Sequence, residues 1–275
     1  TTTYRMFLNA DIFNQSLNKW DTSNLENISG MFFGATAFNG NIADWNTSNV
    51  SDMSELFSGA ISFDVDIGNW NTSNVINMSS LFDGATSFNK DVGDWNTSKV
   101  VNMSKMFASA VKFNQDIGNW DLVSVTDLSF MFLNAKEFNF SLNNWDVSNV
   151  TNMESMFNSA YKFNSSIGDW DTSKVLNMNS MFRSAQVFNQ DIANWNTENV
   201  ISMDSMFHTC QYFDQDLSEW CVTNITAEPS NFAANNAVGW SQNNKPSWGN
   251  CPSSNCVIDL ALTSPISSLT QTITS

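Results

Sequence analysis

The sequence lacks most of the residues on which catalytic and metal sites depend. Only one histidine, His208, occurs in 275 residues, so a Ser-His-Asp or Cys-His site would have to use it. Its position in the sequence repeat described below carries Ser58 or Asn158 in other repeats. There is no Gly-rich phosphate loop and no Cys-x-x-Cys pair, which argues against nucleotide and zinc sites. We therefore predict that the chain is not an enzyme.

Basic residues and long apolar runs are also scarce. The chain has 11 Lys and Arg against 27 Asp and Glu, a formal net charge of −16. Such a charge repels nucleic acids and anionic membranes. No apolar run approaches the length of about 20 residues that a membrane span needs. We expect neither a nucleic-acid partner nor direct membrane insertion.

Cysteine is absent from most of the chain, and all four cysteines come late: Cys210, Cys221, Cys251 and Cys256. A late, even-numbered group suggests disulfides and an oxidising compartment. The sequence does not choose among the pairings. Cys221–Cys251 is preferred because it would tie the C-terminal segment to the last repeat. An extracellular or cell-surface location is expected.

What the chain has in abundance is a repeat. Tryptophan recurs every 25 residues without an insertion or deletion, at Trp20, Trp45, Trp70, Trp95, Trp120, Trp145, Trp170, Trp195 and Trp220. A period of this length is typical of solenoids, in which neighbouring repeats bury one another's apolar surface. Residues 1–13 enter partway through a repeat, so we expect the natural chain to be longer.

One repeat illustrates the predicted fold. Met53, Leu56, Phe57, Ala60 and Phe63 have the spacing of one helix face. The residue before Met53 belongs to a series of preferred N-cap residues, namely Asn27, Asp52, Asn77, Asn102, Asp127, Asn152, Asn177 and Ser202. The pattern predicts a short helix from residue 52 to 63.

The rest of the repeat predicts a strand and a turn. Residues 66–70 are interpreted as a short strand, and Thr72-Ser73-Asn74 as the turn after it. Because strands stack more closely than helices, the strand side should be concave. We predict an α/β leucine-rich-repeat solenoid of about nine coils, each with one short parallel strand and one short helix.

Three regions are expected along the chain. Residues 1–225 form the solenoid. Residues 226–256, where the repeat pattern fails, form a disulfide-linked cap. Residues 257–275 are Ser/Thr-rich and resemble the start of a linker or stalk.

The repeat resembles that of the BspA-type leucine-rich-repeat surface proteins. The likeness lies in Phe-Asn-Gln-Asp-Ile-Gly-Asn-Trp-Asp at 113–121 and Val-Thr-Asn-Met-Glu-Ser-Met-Phe at 150–157. It covers roughly residues 1–250. The resemblance implies an exported solenoid with adhesion or ligand binding as its function, and no catalytic residue.

Two acidic and amide series flank the predicted strand and form the candidate ligand-binding surface. Their oxygens would suit a glycan, a basic protein or Ca²⁺, although no other cofactor is expected. The alternative is that they are solvated and satisfy backbone groups of turns. The candidates are Asp66, Asp91, Asp116, Asp191 and Asp216 in one series, and Asn69, Asp94, Asn119, Asp169 and Asn194 in the other.

Other series have structural interpretations. The tryptophans are expected in the core rather than as a sugar-stacking platform. A threonine series that includes Thr72 and Thr97 would suit an ice surface, but its hydroxyls are better explained as closing turns. The preferred glycosylation candidates among the Asn-x-Ser/Thr sequons are Asn49, Asn139, Asn149, Asn164 and Asn224.

These patterns leave two main functional hypotheses. The first is an extracellular recognition or adhesion module that binds a protein or glycan through its concave strand face. The second is a structural subunit of a surface filament or coat, in which the partners are copies of the same chain.

Overall fold

The repeats form coils that stack in register along the chain. The structure, a computed structural model, describes residues 2–236 and 239–252. Isolated parallel bridges join each coil to the next. They connect, in order, Thr2, Asn27, Asp52, Asn77, Asn102, Asp127, Asn152, Asn177 and Ser202. We call a set of residues spaced 25 apart, one per coil, a column.

The prediction of an α/β solenoid is wrong. Among residues 2–236 and 239–252 there is no α-helix and no strand longer than a single bridged residue. The one helix described is a 3₁₀ helix over Gln242–Asn244, outside the repeats. Residues 52–63, predicted as a helix, form a succession of tight turns.

The turns arise because alternate N–H groups serve two different purposes. Leu56, Ser58 and Ala60 donate to the carbonyl three residues earlier in their own coil. Met53 and Phe57 donate instead to carbonyls of the next coil, 24 residues on, at 3.0 and 2.9 Å. In an α-helix all these N–H groups would donate to carbonyls four residues earlier in the same segment. Stacking of near-identical coils gives every second N–H group another partner, a carbonyl of the next coil.

Left-handed residues at two positions per coil exclude a helix. Glu55 has φ 58° and Gly59 has φ 71°, and equivalent residues of most other coils also have positive φ. Positive φ is required at the third position of a type II turn. Glycine adopts it without cost, whereas residues with a Cβ are held there against an intrinsic preference. The apolar spacing survives because the turns still place Leu56, Phe57 and Ala60 inside.

The predicted strand at residues 66–70 is also wrong. Trp70 donates its N–H to the carbonyl of Ile67 at 3.1 Å, which closes a turn. The parallel pairing lies instead on the column of Asp52 and Asn77. The Asp52 column does keep the local bond expected of an N-cap, since the Asp52 carboxylate accepts from the Ser54 N–H at 3.0 Å. That bond is shared by N-caps and Asx turns, and here no helix follows it.

Three aromatic columns fill the core. Phe57 and Phe63 stack within one coil with centroids 3.7 Å apart. Phe57 stacks on Phe82 of the next coil at 5.7 Å, and Trp45 stacks on Trp70 at 6.0 Å. Such pairs add about 0.5–1.5 kcal/mol beyond the area they bury. The tryptophans are therefore core residues, with Trp70 only 4% exposed.

Polar atoms of buried side chains bond from coil to coil. Each indole N–H from Trp45 to Trp220 donates to a carbonyl of the preceding coil, as Trp120 Nε1 does to Val92 at 3.1 Å. Thr97, 1% exposed, donates its hydroxyl to the Asp121 carbonyl of the following coil at 2.9 Å. The threonine hydroxyls thus link coils rather than close turns, and because these threonines are buried they do not form an ice-binding surface.

The last coil is covered by rings that meet it edge-on. Trp240 lies at 85° to Phe213 with centroids 5.1 Å apart, and Trp248 lies at 82° to Phe232. Cys221 and Cys251 form a disulfide, the pairing preferred from the sequence. Cys256 and the predicted linker at 257–275 lie outside the described residues.

Replacement of Trp120 by Phe should lower the free energy of unfolding. The change removes the indole bond to Val92, and one such bond contributes about 1 kcal/mol. The matched control is Trp20→Phe, because Trp20 lies in the first described coil and is 39% exposed. Urea unfolding should show the larger loss for Trp120→Phe. An equal loss in both variants would contradict the inter-coil role of the bond.

Removal of the disulfide should loosen the C-terminal segment. We expect Cys221→Ser with Cys251→Ser to cost about 2–4 kcal/mol. Cys210→Ala is the control, since Cys210 stands in a buried column that holds alanine in other coils, such as Ala185. A reductant should lower the urea midpoint of the wild type and of Cys210→Ala but not that of the double variant. No effect of reductant on the wild type would refute the prediction.

Candidate functional site

The ten candidate residues lie in two exposed surface columns, one on each side of the Gly68 column. In the Asp66 column the carboxylate accepts from the backbone N–H two residues later, as Asp91 does from Gly93 at 2.9 Å. Asp66, Asp116, Asp191 and Asp216 make the same bond, at 2.9–3.1 Å. These carboxylates therefore do satisfy backbone groups of turns, which was the structural alternative to ligand binding. It uses one carboxylate oxygen and leaves the other facing outward.

Four of the candidates line one surface cavity. Asp66, Asn69, Asp91 and Asp94, together with Gly68, enclose about 180 Å³. Two neighbouring coils contribute to it. The cavity brings three carboxylates and one amide together, a polar site with strong hydrogen-bond acceptors and a pronounced negative charge.

Glycine shapes this cavity. A Cβ on Gly68 would lie 2.8 Å from the Asp91 carbonyl oxygen of the next coil, closer than side-chain carbons come to backbone. In coils with Asn in this column the space is filled differently, because the Asn143 amide donates to the Asp169 carboxylate at 2.6 Å. In the described residues no hydrogen bond or ion pair engages the side chains of Asn69 and Asp94. Sequence reasoning found the acidic residues but missed Gly68, whose role depends on the approach of the next coil.

The remaining candidates do not join this cavity. The other six are exposed on other coils along the same two columns, namely Asp116, Asn119, Asp169, Asp191, Asn194 and Asp216. The hydrogen bond from Ser218 holds the pKa of Asp216 below its usual range. The stability that this bond contributes is therefore fully present above the ordinary carboxyl pKa, and it is lost as pH falls through the lowered pKa of Asp216.

The geometry gives no preformed cation site. Within residues 2–236 and 239–252 no group of three or more His, Cys, Asp or Glu side chains converges in a way that would hold a metal ion.

The only histidine, His208, lies far along the chain from this cavity, two residues before the buried Cys210. Burial, and secondarily the charge of Arg183, lowers the pKa of His208, whose Nδ1 is buried without a partner. Cys210 donates its thiol to the Ala185 carbonyl at 3.1 Å, and burial raises its pKa strongly. A protonated, buried thiol is a poor nucleophile.

The glycosylation candidates take part in contacts between coils. Asn49, Asn149 and Asn224 donate their amide N–H to a carbonyl of the preceding coil at 2.7–2.8 Å. Asn139 and Asn164 accept the backbone N–H of the next residue in their column at 2.8 and 2.9 Å. Glycosylation of these residues stays a prediction.

The repeats match the sequence pattern of a known protein family. The family described as "Mycoplasma protein of unknown function, DUF285" matches residues 1–73, 62–157 and 139–246. The chain belongs to this family. The description assigns no activity, so membership supports the repeat architecture and leaves the role of the surface open. No curated protein matches the chain.

A solved structure with some likeness is the "Crystal structure of TLR13-ssRNA13 complex". Its sequence is 9% identical, with a TM-score of 0.25, and the match covers 72% of this chain and 36% of that one. A score this low carries no argument about fold or ligand.

Two substitutions of Asp91 test how much its hydrogen bond to the turn contributes to stability. Asp91→Asn should leave the melting temperature unchanged, because an amide oxygen accepts the Gly93 N–H equally well; Asn41 already does so from Ala43 at 2.9 Å. Asp91→Ala removes the acceptor and should cost about 1 kcal/mol. Thermal unfolding of the two variants separates the effects. Equal destabilisation by Asn would show that the charge, and not the turn bond, stabilises the coil.

Proposed function

We propose that the chain is a recognition module of the cell surface or extracellular space, which binds a basic protein segment or a glycan through its acidic columns. The observation that carries the proposal is the cavity of Asp66, Asn69, Asp91 and Asp94. It gathers three carboxyl groups and one amide, and in the part of the chain that the structure describes no hydrogen bond or ion pair engages the side chains of Asn69 and Asp94.

The electrostatics favour a partner with hydrogen-bond donors or positive charge. The cavity lies in a chain of net charge −16, whose field attracts cationic partners and accelerates their association. Carboxylates that face outward form the strong, charge-assisted hydrogen bonds that recognise ammonium and guanidinium groups. They also accept from sugar hydroxyls.

The scaffold suits recognition because inner and outer columns obey different constraints. Inner columns repeat the same residues, such as Phe63 and Phe88, since each ring must stack on the next. Outer columns vary freely; one holds Ile61, Thr86 and Lys136. A surface of this kind is extended and adjustable coil by coil.

Location at the surface is supported by the Cys221–Cys251 disulfide, because such bonds persist in oxidising compartments. The resemblance to BspA-type surface proteins points the same way. No helix in the described part of the chain has the length and apolarity to cross a bilayer.

The test compares two triple variants of equal charge. Asp66→Asn, Asp91→Asn and Asp94→Asn change the cavity. Asp121→Asn, Asp146→Asn and Asp171→Asn change a different exposed column, in which Asn71 and Asn96 occur naturally. Both triple variants have a formal net charge of −13, from −16 plus three.

Binding is measured on an array of immobilised glycans and basic peptides at physiological salt. We expect the wild type and the control triple to bind the same probe, and the cavity triple to bind at least about 10-fold more weakly, as loss of a charge-assisted bond predicts. An equal loss of affinity in both triple variants would show that net charge, and not the cavity, determines binding. No binding by wild type, together with assembly into fibres, would favour a structural subunit instead.

A further inference from the structure

A column of exposed and half-buried side chains runs next to the bridged column, one residue before it in each coil, and includes Glu26. Its next seven members are Ser51, Ile76, Val101, Thr126, Thr151, Leu176 and Ile201, and we call these seven the outer stripe. Each member donates its backbone N–H to the carbonyl of the residue before it in the column at 2.8–3.1 Å. The stripe is therefore held in regular register by seven backbone bonds that join eight coils, from the coil of Glu26 to that of Ile201.

Four members of the outer stripe are large and exposed. Ile76 is 51% exposed, Val101 41%, Leu176 44% and Ile201 64%. The fold does not require them, because Ser51, Thr126 and Thr151 occupy the same backbone position in other coils. An aligned set of exposed aliphatic side chains marks an interaction surface more often than scattered ones do.

The order of these side chains is symmetric. From Ile76 to Ile201 it reads aliphatic, aliphatic, threonine, threonine, aliphatic, aliphatic. A stripe that reads the same in both directions is complementary to itself when a second copy runs antiparallel to the first. Self-complementarity of one patch is the requirement of a two-fold symmetric contact.

We propose that the outer stripe is the contact of an antiparallel dimer formed by two copies of this chain. The two-fold axis passes between Thr126 and Thr151. Ile76 packs against Ile201 of the second copy, and Val101 packs against Leu176. Apolar groups thus meet apolar groups, and hydroxyls meet hydroxyls at the centre. Because the contact is closed, it stops at two chains and does not propagate into a fibre.

The like charges of the two copies oppose this contact, so dimerisation should depend on salt in a characteristic way. Both copies have a net charge of −16. The flanking Lys99 and Lys174, which donate to Asn74 and Asn149 at 2.8 and 2.6 Å, would face each other across the axis. Salt screens such repulsion and leaves apolar burial intact, so dimerisation should strengthen as NaCl rises. The stripe is narrow, so the dimer belongs to the weak class of interfaces that bury less than about 1,200 Å².

Sedimentation equilibrium of the full chain tests the proposal. The wild type should form dimers whose population rises with protein and NaCl concentration. The test variant carries Ile76→Thr, Val101→Thr, Leu176→Thr and Ile201→Thr. Threonine already occurs in this column, so the coils should accept it. The dimer of this variant should dissociate at least about 10-fold more readily, as the loss of eight buried aliphatic groups per dimer predicts. The matched control is Ile61→Thr, since Ile61 is 48% exposed and its column also holds Thr36 and Thr86.

The control should behave as the wild type. A wild type that stays monomeric up to about 1 mM, the weak end of specific association, would overturn the proposal. So would equal behaviour of Ile61→Thr and the four-site variant, weakening by salt, or growth beyond a dimer.

Cysteine cross-linking reads the orientation without relying on the four-site variant. Residues 76 and 201 are five coil intervals apart in one chain, roughly 24 Å at about 4.8 Å per interval. Ile76→Cys mixed with Ile201→Cys should therefore give a disulfide-linked dimer. Neither variant alone should exceed the wild-type background. Efficient linking of Ile76→Cys to itself would disprove the antiparallel register.

Discussion

The structure depends on the satisfaction of backbone groups by neighbouring coils. Each coil is a series of turns that closes only half of its own hydrogen bonds, and N–H groups such as those of Met53 and Phe57 need carbonyls 24 residues further along. Buried backbone groups left without partners are costly. A single coil is therefore not a stable unit, and the constant 25-residue spacing follows. One inserted residue would misalign the N–H groups and carbonyls of two coils.

The same constraint explains why polar side chains are so regular. Asx turns at Asp52, Asn71 and Asp91 satisfy backbone groups that the coil itself leaves open. Side chains of the Asn39 column accept a backbone N–H of the next coil, as Asn39 does from Asp64 at 2.9 Å. The repeated polar residues are therefore largely structural. Functional signals are to be sought where side chains exceed this requirement, as at Asn69 and Asp94 or in the outer stripe.

Sequence patterns predicted the inside of the molecule better than its backbone. The buried positions of Met53, Leu56, Phe57, Ala60 and Phe63 were identified correctly, but they were assigned to a helix. A series of tight turns presents the same residues inward, so apolar spacing alone does not distinguish the two. The deciding fact, positive φ at Glu55 and equivalent residues, leaves little trace in the sequence, because that column holds glycine only at Gly30 and elsewhere holds residues such as Glu, Ser, Lys and Phe. For the candidate site, the acidic residues were visible in the sequence, whereas the cavity that three of them line together with Asn69 and Gly68 was not.

The sequence by itself determined the repeat, its length, the buried aromatic columns and the acidic character of the surface, because each is a property of residue type and spacing. Only the tertiary structure decided how the backbone runs, which polar groups are engaged between coils and which side chains of different coils meet at the cavity and along the outer stripe. The physical reason is that these features depend on contacts between residues 24 to 28 positions apart. A local pattern specifies that such residues are alike. It does not specify which atoms of one coil reach the next.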